Sequence, residues 1–173
     1  NSKQYGIDKF PDNQRKMWAG YLATVTFMDE QVGRILKALK ELGLDQETAV
    51  FFTSDHGYHL GEHDFWAKVS LHEESVRVPL IISVPGKKPA ICNSFTELLD
   101  LYPTLSSLCG LDVPDRLQGK DISRMLSDPT IQVRKTAFTV NGRGFLLRNQ
   151  DWAFIQYAED ASKGIELFDM HKD

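Results

Sequence analysis

Between residues 14 and 42, Trp18, Tyr21, Leu22, Val25, Met28, Val32, Ile35, Leu36 and Leu39 recur at spacings of three and four. Those spacings draw one apolar stripe along a long amphipathic helix. Asp12 or Asn13 is expected to cap its start, and Gly43 to take the position just past its end. The stripe is expected to pack into a core, with Asp29 and Glu30 at its solvated edge. After Asp45-Gln46-Glu47 the period changes. The run from Thr48 to Thr53 reads as a buried strand, expected to lie parallel to its sheet neighbours. Val78 to Val84 predicts a second buried strand, with Pro79 at its start and Pro85-Gly86 stopping it.

The stretch between them, residues 56–78, has no clean period and is crowded with His, Asp, Glu and Lys. Loops of that length inside a folded domain are usually functional. Leu98 to Leu108 predicts a short helix with Pro103 near its first turn and Gly110 ending it. Asp121 is expected to cap a further short helix that stops by Ser127-Asp128-Pro129. Four short strands then follow at Thr136–Val140, Gly144–Leu147, Trp152–Tyr157 and Ile165–Phe168, with Asn141-Gly142 marking a hairpin. The fold class is therefore α/β, a long helix with buried strands, followed by a small C-terminal antiparallel sheet. The domain boundary is expected near residue 130, giving an α/β part over 1–129 and a β subdomain over 130–173.

An apolar content of 42% with 25% charged residues fits a globular chain rather than a disordered one. The net charge of −4, with signs interspersed, offers no nucleic-acid surface. No apolar run reaches the ~20 residues of a membrane span. Asn1 to Asp12 reads as a polar loop and includes no Met, which suggests a processed chain or a fragment. Cys92 and Cys109 lack metal-finger spacing and are expected to be buried thiols rather than a bridge.

The chemistry gathers after the first strand, at Thr53-Ser54-Asp55-His56-Gly57. Ligands bind outside the carboxyl ends of strands in open α/β sheets. An acid beside an imidazole there suits a divalent cation, and Gly57 allows a tight turn past it. Taken by itself the dipeptide reads first as a strand-end Asp capping a turn beside a solvated His, and the residues that follow change that reading.

The loop continues Tyr58-His59-Leu60-Gly61-Glu62-His63-Asp64-Phe65-Trp66-Ala67-Lys68. T-S-D-H-G, L-G-E-H, W-A-K and R-V-P-L-I-I in that order resemble the sulfatases of the alkaline-phosphatase superfamily, and within them the iduronate-2-sulfatase-like branch. Residues 21–33, Asp100-Leu101-Tyr102-Pro103-Thr104-Leu105 and Glu166-Leu167-Phe168-Asp169 extend the likeness over most of the chain. The resemblance implies part of an alkaline-phosphatase-like sandwich. It implies that Asp55 and His56 are metal ligands, usually for Ca²⁺. A carboxylate suits hard Ca²⁺ better than an imidazole, so His56 is alternatively a hydrogen-bonding group near the metal or the ester oxygen. Lys68 matches the lysine that contacts the substrate sulfate, and with His56 it is a candidate catalytic group.

Pocket contact with substrate is expected for His59, with loop support through hydrogen bonds as the alternative, and a structural role for Glu62-His63. Trp66 is read as packing rather than sugar stacking, and Glu73, Glu74 and Arg77 as a local charged cluster. The family also uses a formylglycine made from Cys or Ser in [CS]-x-P-x-R, and an early Asp-Asp pair. This chain has neither; Ser83-Val84-Pro85-Gly86 ends in Lys87. The resemblance therefore implies the C-terminal portion of a sulfatase, with the N-terminal portion of the same protein as its partner and a sulfated small molecule or glycan as its substrate. Export to the periplasm, the lysosome or the medium is implied by the family alone. A phosphodiesterase or phosphatase of the same superfamily is the alternative activity, and a non-catalytic interaction fragment the alternative of another kind.

Overall fold

The computed structural model describes residues 11–142 and 144–172. Helix α1 runs Pro11–Glu41. It starts earlier than the apolar stripe because proline is well suited to the first helical position, where its missing N–H costs nothing. Asp12 and Asn13 therefore lie within the first turn instead of capping it, and the cap lies outside the described residues. So does most of the expected polar loop, residues 1–10. At the other end Gly43 takes φ 70°, as expected. Its N–H donates to Lys40 O at 3.1 Å, and the Leu44 N–H donates to Leu39 O at 2.9 Å. These bonds satisfy carbonyls that a helix end leaves open.

The chain divides into two compact units, Asn1–Pro85 and Gly86–Asp173. The sequence-based boundary at 129/130 falls inside the second. In the first unit α1 is followed by β1 (Val50–Thr53), β2 (His59–Leu60), β3 (Trp66–Ala67), the one-turn helix α2 (Glu73–Val76) and β4 (Leu80–Ser83). β1 pairs with β4 in antiparallel register, Val50 opposite Ser83 and Thr53 opposite Leu80. The parallel pairing expected from the apolar runs is thus corrected. Parallel neighbours need a crossover that returns the chain to the starting end. Here residues 54–79 fold at the end where β1 stops, so β4 begins beside Thr53 and runs back.

The expected burial also fails. β1 is only half-buried, and Ile81 in β4 is 60% exposed. The stripe of α1 lies open: Trp18 is 43% exposed, Leu22 56% and Ile35 62%. Periodicity identifies which face of a helix wants cover; among the described residues most of that face stays exposed, although the Tyr58 ring lies 5.7 Å from that of Tyr21.

In the second unit a 3-10 turn (Leu98–Asp100) leads into α3 (Leu101–Leu108), with Pro103 in its first turn. Gly110 at φ 67° ends it. A second 3-10 turn spans Ser123–Leu126, where Asp121 Oδ1 accepts the Ser123 N–H at 2.8 Å. Strands β5 (Ala137–Asn141), β6 (Gly144–Arg148), β7 (Trp152–Tyr157) and β8 (Ile165–Asp169) form an antiparallel meander in that order. Asn141 pairs with Gly144 across the tight connection that Asn-Gly predicted. One face of the sheet buries Leu146, Ala153 and Ile155, while Phe138, Leu147 and Leu167 on the other stay exposed. Cys92 and Cys109 are free thiols, but Cys109 is exposed rather than buried.

This unit is tied together by Asp100, whose side chain is fully buried. Its Oδ1 accepts the Lys120 N–H at 2.7 Å and Arg134 Nη2 at 2.5 Å; its Oδ2 accepts the Glu97 N–H at 2.8 Å. Arg134 also meets Glu97 Oε2, and Glu97 Oε1 takes the Phe138 N–H at 2.8 Å. The ion-pair network thereby reaches β5 from the 3-10 turn.

Candidate functional site

β1 delivers Ser54, Asp55 and His56 at its carboxyl end. The Ser54 hydroxyl donates to His56 O at 2.7 Å and holds the turn. Gly57 is required there for a reason other than torsional freedom. A Cβ on it would lie 2.0 Å from Glu74 O, so the backbone passes directly against α2, and the Gly57 N–H donates to Ser75 O at 2.8 Å. Gly57→Ala is expected to destabilise the protein by about 1–3 kcal/mol, the range for overpacking a closed contact. A urea midpoint equal to that of the unsubstituted protein would show that this close approach does not exist in solution.

His56 is held at both ring nitrogens. Nδ1 lies 2.8 Å from Gly57 O. A carbonyl only accepts, so Nδ1 carries the proton and Nε2 presents its lone pair. That lone pair receives the Lys68 ammonium at 2.9 Å. Asp55 Oδ1 is 3.7 Å from the same Nε2, on a side chain that is 86% exposed. Asp55, His56 and Lys68, all anticipated from the sequence, therefore come together at one edge of the first unit.

Lys68 is set by the main chain around it. The hairpin β2–β3 pairs His59 with Ala67 and Leu60 with Trp66. Its turn contains Gly61 at φ 120° and two residues, His63 and Asp64, at positive φ. Ala67 itself sits at φ 89°, a conformation that side chains rarely adopt. Lys68 O accepts the Ser75 hydroxyl at 2.8 Å and the Ser70 N–H at 3.1 Å.

His59, expected to touch substrate, is fully buried and has no surface with which to do so. Its Nε2 meets Ser70 Oγ at 2.7 Å, and Phe65 lies edge-on at 4.9 Å between ring centres. Burial pushes its imidazole below the ordinary range; Glu74 and Glu62 oppose that shift, while His72 and His63 add to it. His63 stacks on His72 at 4.3 Å and lies 3.6 Å from Glu74 Oε1. Glu62 Oε2 accepts the Leu60 N–H at 2.6 Å. Glu62 and His63 thus brace the loop. Trp66 is buried packing, and Glu73 pairs with Arg77 at 3.8 Å.

Asp55 offers an exposed carboxylate, which fits a hard ion, and His56 Nε2 offers a lone pair that Lys68 currently holds. Among the described residues no group of three or more His, Cys, Asp or Glu side chains is arranged to hold a metal. Asp55 and His56 fit as part of a ligand set, not as a whole one. Sequence reasoning missed Ser70 and Ser75, since hydroxyls that grip a loop leave no spacing signal.

Residues 2–111 match the family model described as Sulfatase, and residues 61–173 match the one described as N-sulphoglucosamine sulphohydrolase, C-terminal. Arylsulfatase K of Mus musculus is 34% identical over 95% of this chain and 32% of its own length. Iduronate 2-sulfatase of Homo sapiens is 39% identical over 61% of the chain and 24% of its own. A structure solved in complex with its substrate D-glucosamine-2-N,6-O-disulfate superposes with a TM-score of 0.75 at 32% identity, over 88% of this chain and 34% of that one. A phosphonate monoester hydrolase of Agrobacterium radiobacter gives a TM-score of 0.79 at 26% identity, over 95% and 37%. The chain spans about a third of the length of the arylsulfatase K relatives.

Proposed function

The chain belongs to the sulfatase family, and on that footing we propose that it is the C-terminal portion of an enzyme hydrolysing sulfate esters of sugars. The observation that carries this reading is the meeting of three groups: His56 Nε2 stands 2.9 Å from Lys68 Nζ and 3.7 Å from Asp55 Oδ1. Lys68 is a mobile point charge with three donors. Placed beside the scissile bond, it stabilises the charge that builds on the ester oxygen as S–O cleaves. His56, fixed in its Nδ1–H form by Gly57 O, keeps one lone pair on Nε2; Lys68 Nζ occupies it here, and a bound cation would take it and leave the Lys68 donors to the sulfate.

Asp55 and His56 would supply part of the site for a divalent cation, Ca²⁺ by family, with the remaining ligands and the formylglycine coming from the N-terminal portion. A bound divalent cation supplies charge that neutralises the sulfate oxygens. The same N-terminal portion is the partner that would cover the exposed stripe of α1. Among the described residues no helix is long and apolar enough to cross a membrane, and we assign the protein to an exported compartment on family grounds.

The likeness to a phosphonate monoester hydrolase favours a second reading, a phosphate or phosphonate esterase on the same framework. Paired assays of sulfate, phosphate and phosphonate monoesters with the full-length protein separate the two. Sulfate turnover is expected to dominate, and the 173-residue chain alone is expected to turn over none of them. A preference for phosphonate, or sulfate hydrolysis by the isolated chain, would overturn the reading.

A further inference from the structure

Resting on the sulfatase reading, we propose that His59 is a positioning residue that holds the Lys68 segment from below, through Ser70 and through its strand pairing with Ala67. Two tethers reach the residues that flank Lys68. On one side, the backbone of His59 pairs with Ala67 across the hairpin. On the other, its ring meets Ser70 Oγ at 2.7 Å. Between these ties lies a backbone that would not hold its shape alone, because Ala67 sits at φ 89°. Such conformations persist only where the surroundings over-determine them, and they gather at functional sites.

The hydrogen-bond inventory fixes the form of the ring. Ser70 Oγ already accepts the His72 N–H at 3.2 Å, and a hydroxyl oxygen accepts twice. His59 Nδ1 is buried with no hydrogen-bond partner. A proton on Nδ1 would be an orphaned buried donor, whereas an unpaired lone pair there is the lesser loss. His59 is therefore neutral, with its proton on Nε2 donated to Ser70. Glu74, His72, Glu62 and His63 are the charged and titratable groups that face it. A buried neutral donor fits positioning and does not fit proton transfer to substrate.

Three variants of the full-length protein test this. H59Q keeps an N–H where Nε2 lies, and H59F fills the space without a donor. S70A removes the acceptor while leaving the histidine. Backbone hydrogen exchange over residues 67–72 is expected to speed up by about tenfold or more in H59F and S70A, with α1 and β5–β8 unchanged. In the same two variants kcat for a sulfate monoester is expected to fall about 10–100-fold with KM nearly constant, the mark of a misplaced group. H59Q is expected to restore slow exchange, kcat and the unsubstituted pH profile. Unchanged exchange in both H59F and S70A would overturn the proposal. So would an H59Q enzyme as slow as H59F with an altered pH profile, since that would make titration of the ring its role. If the unsubstituted protein hydrolyses no sulfate ester, the sulfatase reading fails, and the exchange result alone decides the role of His59.

Discussion

Replacing Lys68 by alanine in the full-length protein is expected to lower kcat for a sulfate monoester by about 10²–10³-fold, the range for removing one preorganised donor from a developing anion. The fold should survive. Lys68 is exposed, and the bonds that set its segment come from its own carbonyl oxygen, which alanine retains. What disappears is the ammonium 2.9 Å from His56 Nε2. Lys68→Arg should recover only part of the rate. A guanidinium keeps the charge but spreads it over a planar fork that does not match a point donor aimed at a single oxygen. A loss of less than about threefold in Lys68→Ala, with thermal unfolding unchanged, would remove Lys68 from the reaction.

Much of the architecture is legible in the residues because it is local. A stripe at helical spacing, Gly43 past its end, and Asn141-Gly142 between alternating runs each specify backbone geometry within a few residues. The helix α1 and the four-stranded meander follow from them. Direction of pairing is not local. The apolar runs of β1 and β4 say only that both are strands, and the place where residues 54–79 bring the chain back decides that they run antiparallel. Burial is less local still. The spacing of the stripe on α1 marks a face suited to packing, yet among the described residues most of that face stays exposed.

The candidate site divides in the same way. Asp55 and His56 are neighbours in sequence, so their juxtaposition needs no tertiary information. Lys68 joins them only because the β2–β3 hairpin folds back, and its place was read by resemblance rather than by spacing. A histidine in a His-rich loop beside a strand end suggests pocket contact for His59. The two-residue strand instead turns its ring inward, onto Ser70 and Phe65. The role of Asp100 within D-L-Y-P-T-L was likewise invisible, since its cation, Arg134, lies far along the chain with no pattern marking it.

That buried pair supports the last prediction. Arg134→Met is expected to destabilise the protein by about 3–5 kcal/mol, because it strands a carboxylate away from water. Solvent screening gives no relief here, since the Asp100 side chain is 0% exposed and that of Arg134 only 8%. The reverse change need not cost as much. In a double variant, Asp100→Leu with Arg134→Met, the fully buried carboxylate goes together with its cation; Glu97, whose side chain is 19% exposed, loses the arginine but keeps the Phe138 N–H, and the Glu97 and Lys120 N–H groups lose their acceptor. The double variant should therefore unfold at a higher urea concentration than the sum of the single changes allows. Because Glu97 links Arg134 to the Phe138 N–H, the damage should also be directional. Hydrogen exchange in Arg134→Met should accelerate in β5 before it does in β7, which is held between β6 and β8. An Arg134→Met protein within about 1 kcal/mol of the unsubstituted one, a surface-like cost, would mean that Asp100 finds its compensation in the backbone N–H groups alone.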